Sequence, residues 1–392
     1  MQSALAGIRV LDLSRLLPGP FASLVLADLG AEVDKLEDAE AGDYLRHMPP
    51  QVVSPTPGVE ATSAIFLALN RNKRSACVDL KKPEGREALL RLLPRYDVVL
   101  EQFRPKVMDR LRLSHEALLE KNPRLVVCAL TGYGQTGPLA LRAGHDIDYL
   151  ARAGILGFHG PAGAPPQPPG FQLADVSGGL WSVIGILAAL AERARTGKGK
   201  VVDVSMTEAS MGFGIASLGM LFGGTTPARG DEPITGGIAA YNTYATKDGK
   251  FMALGALEPK FWLAFATGVG LPADMSGIVP GPHQAELKQK VAEIFASRTR
   301  AEWEAFAGER DCCLEPVLEP GELASDAHLA ARGVFFEAES PWGKLRQLKL
   351  PIADATARMP PPQQGEHTEA ILREAGYDDE GIAKLRAAGA IR

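Results

Sequence analysis

Short β-branched runs alternate with helically spaced apolar positions through the first half of the chain. Residues 8–14 (IRVLDLS) predict a strand, and Pro18-Gly19-Pro20 opens a helix that ends near Gly30. Further strands are predicted at 31–37 (AEVDKLE), 75–80 (SACVDL), 97–103 (DVVLEQF) and 124–131 (RLVVCALT). Helical patterns at 61–70, 84–93, 105–112 and 113–121 separate them. Strands divided by single helices argue for parallel crossover units, and so for a doubly wound parallel sheet.

Beyond Gly134 the pattern changes. Residues 145–156 are helix-like, 161–169 hold five prolines in nine positions, and Asp175 precedes a long apolar helix reaching about Arg195. A strand at 201–205 follows. Residues 238–257 alternate like antiparallel strands around an Asp248-Gly249 turn, with helices at 259–269, 284–297 and 300–307. Two helices, 366–375 and 379–388, end the chain. The division expected is a large domain of residues 1–205 and 330–392, a linker at 206–237, glycine-rich from 223, and a smaller α+β domain at 238–329.

Length agrees, since at roughly 150 residues per domain 392 residues suit two. Hydrophobic residues at 46% and charged ones at 23% exclude disordered and fibrous classes. A net charge of −5 argues against a nucleic-acid partner. Cys77, Cys128, Cys312 and Cys313 form no C-x-x-C pair, so neither a metal site nor a disulfide framework is expected. Arg9, Asp12 and Arg15 interrupt any apolar N-terminal segment, and the stretch 176–191 falls short of a membrane span. A soluble cytoplasmic protein without a membrane partner is the expectation.

Phosphate-loop, dinucleotide, nucleophile-elbow and H-E-x-x-H motifs are all missing from the sequence. Arg71-Asn72-Lys73-Arg74 is a compact basic run, and Arg104 falls at the end of a predicted parallel strand, where open α/β sheets bind ligands. The run reads either as a solvated face or as a grip on phosphates. His145 opens a helical pattern (GHDIDY), where the helix dipole disfavours a charged ring and leaves it able to accept a proton, or it is merely a cap. Asp175 reads as a helix cap or as an ionised base. The glycines Gly178 and Gly179 after it would let a ligand approach backbone N–H groups, such as that of Val176, able to hold an oxyanion. Glu258, before Pro259, is a first-turn acid or a second carboxylate of a site. Together these groups suit metal-free proton transfer beside a carbonyl.

The segments IRVLDLSRLLPGPFASLVLADLGAEVDKLE, LNRNKRSACVDLK, EQFRPKV, TGYGQTGP with GHDIDY, LADVSGG, RTGKGKVVDVSM and the C-terminal PPPQQGEHTEAILREAGYDDEGIAKLRAAGAI resemble the family III CoA-transferases (CaiB/BaiF). The G-H-D-I-x-Y motif and Glu258 in GALEPKFW resemble the α-methylacyl-CoA racemase branch. Asp34 departs, standing where an apolar residue is usual. The resemblance implies a Rossmann-like large domain built from both chain ends, in an interlocked homodimer. It implies an acyl-CoA thioester as substrate, with no cofactor beyond that CoA. His145, assisted by Glu258 from the partner chain, and Asp175 would be acid/base groups on opposite faces of C2. Arg71, Lys73, Arg74 and Arg104 would contact CoA. The rival expectation is CoA transfer through an aspartyl anhydride at Asp175.

Overall fold

The computed structural model describes residues 3–352 and 358–392. The chain divides into two compact units, Met1–Ala153 with Phe171–Gly212 and Ala327–Arg392, and Gly154–Gly170 with Phe213–Asp326. The division expected from sequence differs at three places. Residues 327–329 cluster with the larger unit, and residues 154–170 and the expected linker from 213 onward with the smaller. Arg229 explains the grouping, since its guanidinium donates to the carbonyls of Gly157 and Ala164 and ties the proline-rich loop to the 213–237 segment.

Six strands build the large unit's sheet: β1 (Arg9–Asp12), β2 (Glu32–Glu37), β3 (Lys73–Cys77), β4 (Val98–Glu101), β5 (Val126–Thr131) and β6 (Lys200–Ser205). Every pairing is parallel, and the order is β3-β2-β1-β4-β5-β6. This is a doubly wound α/β sheet whose order reverses between β1 and β4. Alternate side chains go to opposite faces. Leu11, Val99 and Val127 share one core with Leu89, Leu92 and Leu118, completed by Ile371, Leu372, Ile382 and Leu385 of the C-terminal helices. Each such side chain contributes about 1.5–3 kcal/mol on burial. The chain end also pairs with the sheet's edge region: Val78 bridges Ile391, and the Asp79 N–H donates to the Ala390 carbonyl at 2.8 Å.

On the other face lie α1 (Pro18–Asp28) and the longest helix, which follows the short α2 (Asp146–Arg152). This long helix, α3 (Leu173–Thr196), has 24 residues and an 18-residue stretch of mean hydropathy 1.7. By length and composition alone it is long enough to cross a membrane, a point the shorter sequence estimate missed. In the fold it packs on α1, on β5 and β6, and on α4 (Met206–Met211), while Leu180, Trp181 and Ile184 stay exposed.

The smaller unit contains α5 (Ile215–Phe222) and an antiparallel sheet ordered β9-β8-β7, with β7 (Tyr241–Ala245), β8 (Phe251–Gly255) and β9 (Leu314–Pro316). Its core is aromatic: Trp262 and Phe265 of α6 (Pro259–Gly268) pack with Phe295, Trp303 and Phe306. No residue of α5 is buried.

Candidate active site

At the carboxyl edge of the large sheet, the loops after β1 and β4 open apart because the strand order reverses there. A cavity of ≈510 Å³ occupies this edge. Its walls carry Arg15, Arg104, Arg142, His145, Tyr149 and Asp175, and Asp175 is its single carboxylate among the described residues. A second cavity of ≈350 Å³, with Lys81 and Arg110 on its wall, shares Arg15, Phe103 and Val107 with the first.

Buried charges shape the loop that brings Arg15 into both cavities. Asp12 accepts from the Ser14 N–H at 2.8 Å, from the Ser14 hydroxyl, and from Ser23 at 2.5 Å. Lys35 Nζ donates to the Ser14 carbonyl at 2.7 Å and lies 3.0 Å from Asp43. Asp43 in turn accepts the N–H of Leu16, which sits in the left-handed region at φ 64. Burial opposes the charge on Lys35, but Asp43, Asp12 and Glu37 outweigh it and hold the ammonium pKa above its usual value. Lys73, buried beside them without a comparably close carboxylate, is pushed down to about 7 by burial.

His145 is the residue before α2, exposed on the cavity wall, with its backbone N–H bonded to Asp148 Oδ2 at 2.9 Å. Tyr149, one turn on, packs its ring where Gly132 and Gly144 leave space; a Cβ on Gly144 would stand 2.7 Å from that ring. Its hydroxyl donates to the Gly144 carbonyl at 2.5 Å, bracing the turn that carries His145. Asp175 lies in the first turn of α3 rather than preceding the helix. Burial, and then the neighbouring Asp146 charge, push its carboxyl up to about 7. A group balanced there serves as acid or base near neutral pH.

The expected oxyanion donors are otherwise engaged. The Asp175 N–H donates to Asp146 Oδ1 at 3.0 Å, and the Val176 N–H to the Gln172 carbonyl at 3.1 Å. Gly178 and Gly179 lie past the first turn, where the helical ladder takes their N–H groups. They serve packing instead: a Cβ on Gly178 would meet Met206 Cγ at 2.6 Å, and one on Gly179 the Pro18 carbonyl at 2.8 Å.

The basic run enters the large sheet instead of lying on a solvated face. β3 begins at Lys73, so Lys73 and Arg74 pair in register with Val33 and Asp34. Arg71 is buried against Asp28 at 2.5 Å, Lys73 donates to the Pro20 carbonyl and Asn70, and Arg74 bridges Asp34 and Glu374. None of the three lines either cavity. Asp34, the departure noted in the sequence, is the carboxylate that receives Arg74 and the Tyr96 hydroxyl. Arg104 is exposed on the first cavity's wall and makes no ion pair among the described residues. Glu258 stands in the smaller unit, exposed before α6, its side chain making no bond to the helix end.

A family model, CoA-transferase family III, matches residues 5–368. The chain belongs to that family. Within it, the chain is 39% identical to human α-methylacyl-CoA racemase, over 97% of this chain and 96% of the relative. It is 32% identical to the mouse succinyl-CoA:glutarate CoA-transferase, over 99% and 90%. A family III fold from Brucella suis, a CAIB/BAIF family protein, superposes with a TM-score of 0.83 at 30% identity, covering 96% of this chain and all of that one. The similar family III members thus include both racemases and transferases.

Sequence reasoning passed over Arg15, Arg142, Tyr149 and Asp146. Arg15 carried a signal, since it directly follows the first strand. Asp146 carried one too, as a second acid beside His145. No group of His, Cys, Asp or Glu able to hold a metal occurs among the described residues.

Proposed function

We propose that this protein moves the C2 proton of a 2-methylacyl-CoA thioester between the two faces of that carbon. The observation that carries the reading is the presence of His145 and Asp175 on one cavity, with Asp175 poised near neutrality. Asp175 as carboxylate takes the C2 proton and leaves an enolate; imidazolium at His145 returns a proton to the opposite face. The reverse reaction exchanges the roles. A carboxyl that is half protonated near pH 7 suits this chemistry.

The paired cavities suit a long substrate with a nucleotide end. The acyl thioester would occupy the first cavity, and the CoA handle would run past Arg15 and Phe103 into the second. Arg104 on the first cavity's wall and Arg110 and Lys81 on the second's would meet the phosphates along that path, in place of Arg71, Lys73 and Arg74. Replacing Arg104 by Met is expected to raise KM for acyl-CoA about tenfold or more with kcat little changed, as loss of a charge-assisted contact requires. An unchanged KM in steady-state kinetics would remove Arg104 from the binding surface.

Glu258 would assist His145 from a second copy. The uncovered α5, with Ile215 70% and Phe222 80% exposed, supports burial against another chain. CoA comes as part of the substrate, and the proposed place of action is the cytoplasm.

The test is deuterium uptake at C2 in heavy water, without any acceptor acid, followed by NMR. Wild-type protein is expected to exchange, and His145→Ala and Glu258→Gln each to fail. Co-expressing those two variants should restore exchange, because one site of the mixed dimer keeps both groups. No exchange with any branched acyl-CoA would sink the racemase reading. A second reading is CoA transfer, favoured by the transferases among the relatives. There the Asp175 carboxylate attacks the thioester carbonyl, expelling CoA thiolate and leaving an acyl anhydride. Hydroxylamine inactivation in the presence of acyl-CoA would support it.

A further inference from the structure

One carboxylate joins the turn that carries His145 to the start of α3. Asp146 is the first residue of α2, directly after His145, yet its side chain leaves that helix. Its Oδ1 accepts the N–H of Ala174 at 2.7 Å and of Asp175 at 3.0 Å. Those are the second and third residues of α3, whose N-cap, Gln172, supplies no side-chain bond of its own. The start of α3 is therefore capped from another helix. A cap within one segment stabilises only that segment. This one joins two, and the residue on each side of the joint is a proposed proton-transfer group.

We infer that Asp146 is the positioning residue of this site: its carboxylate clamps the first turn of α3 to the start of α2, fixing His145 relative to Asp175 and keeping a negative charge beside Asp175. This rests on the proton-transfer reading for its consequence in turnover, but not for its electrostatics. A like charge beside a half-buried carboxyl disfavours ionisation. Burial is the larger cause of the raised Asp175 pKa, and Asp146 is the charge that adds to it. Other charged or titratable groups on the surrounding elements include His145, Asp148, Tyr149 and Arg152 at α2, Lys200 and Asp203 of β6, Glu208 of α4, Asp28 of α1, and Arg15, Arg104 and Arg142 on the cavity wall.

Two variants separate clamp from charge. Asp146→Asn keeps an oxygen able to accept both N–H groups and loses the charge. The Asp175 titration, followed by carboxyl ¹³C NMR with Asp175→Asn as the assignment control, is expected to move down by about one pH unit or more. The acid limb of the exchange rate should move with it, at unchanged KM. Asp146→Ala loses the clamp as well, and kcat is expected to fall about 100-fold, the size of effect that a misplaced reacting group produces. A residue that merely stabilised the fold would lower the melting temperature of both variants and leave the titration and the pH limb in place, and that result would overturn the inference. If the titration moves while no acyl-CoA exchanges in wild-type protein, Asp146's charge effect stands and the proton-transfer reading falls.

Discussion

Asp175→Asn is expected to lose about 1,000-fold in turnover and, at alkaline pH, to gain stability. The first effect follows from removing a general acid–base group, which contributes typically 10²–10⁴ in rate. The second follows from linkage. Burial and Asp146 raise the folded-state pKa of Asp175 to about 7. Between the ordinary aspartate value and 7 the folded chain holds a proton that the unfolded chain releases, so wild-type stability falls as pH rises through that window. Above it the carboxylate is ionised in an environment that opposes the charge, at a cost on the order of 4 kcal/mol relative to the unfolded chain. Asparagine never incurs this cost. Urea unfolding at pH 4.5 and pH 8 should show the variant's stability relative to wild type rising by a few kcal/mol between them. Parallel behaviour of the two proteins would show that Asp175 titrates normally.

A second large effect is expected far from the cavity. Arg71→Ala should destabilise the protein by about 3–5 kcal/mol, because it leaves Asp28 buried and ionised without its cation. Both side chains are 1% exposed, and Arg71 also donates to Gln347 at 2.8 Å and the Leu348 carbonyl at 2.9 Å. Among the described residues, Asn72 alone would remain on Asp28. Removing both charges together, by combining Arg71→Met with Asp28→Leu, should cost less than the single substitution. KM for acyl-CoA, measured on the folded fraction, should stay at the wild-type value. A raised KM at unchanged melting temperature would return Arg71 to the binding surface.

The architecture was legible where periodicity and topology agree. β-branched runs separated by single helices specify parallel crossovers, and the observed sheet follows from them. Arg104 reaches a cavity wall because it follows a strand end, and strand ends in such sheets face clefts. The basic run misled for a physical reason: sequence shows that Lys73 and Arg74 are charged, but not that Asp28, Asp34 and Glu374 arrive from other elements to neutralise the cluster. Gly178 and Gly179 misled similarly. Two glycines after an acid look like an open helix end, yet α3 starts two residues before Asp175, and Met206 and Pro18 claim the space. The clamp by Asp146 depends on two segments 28 residues apart meeting, which no local pattern reports.

The closure of the large unit's sheet by Ile391 and the Ala390 carbonyl has a consequence for biosynthesis. A nascent chain emerging from the ribosome presents β1 to β6 long before the strip that seals the hydrophobic layer behind them exists. The smaller unit, emerging in between, can settle around its aromatic nucleus while the first segment waits. The larger unit can therefore complete its fold only after residues 390–391 have emerged, and a chain lacking them would carry an unsealed edge, vulnerable to chaperone capture and proteolysis.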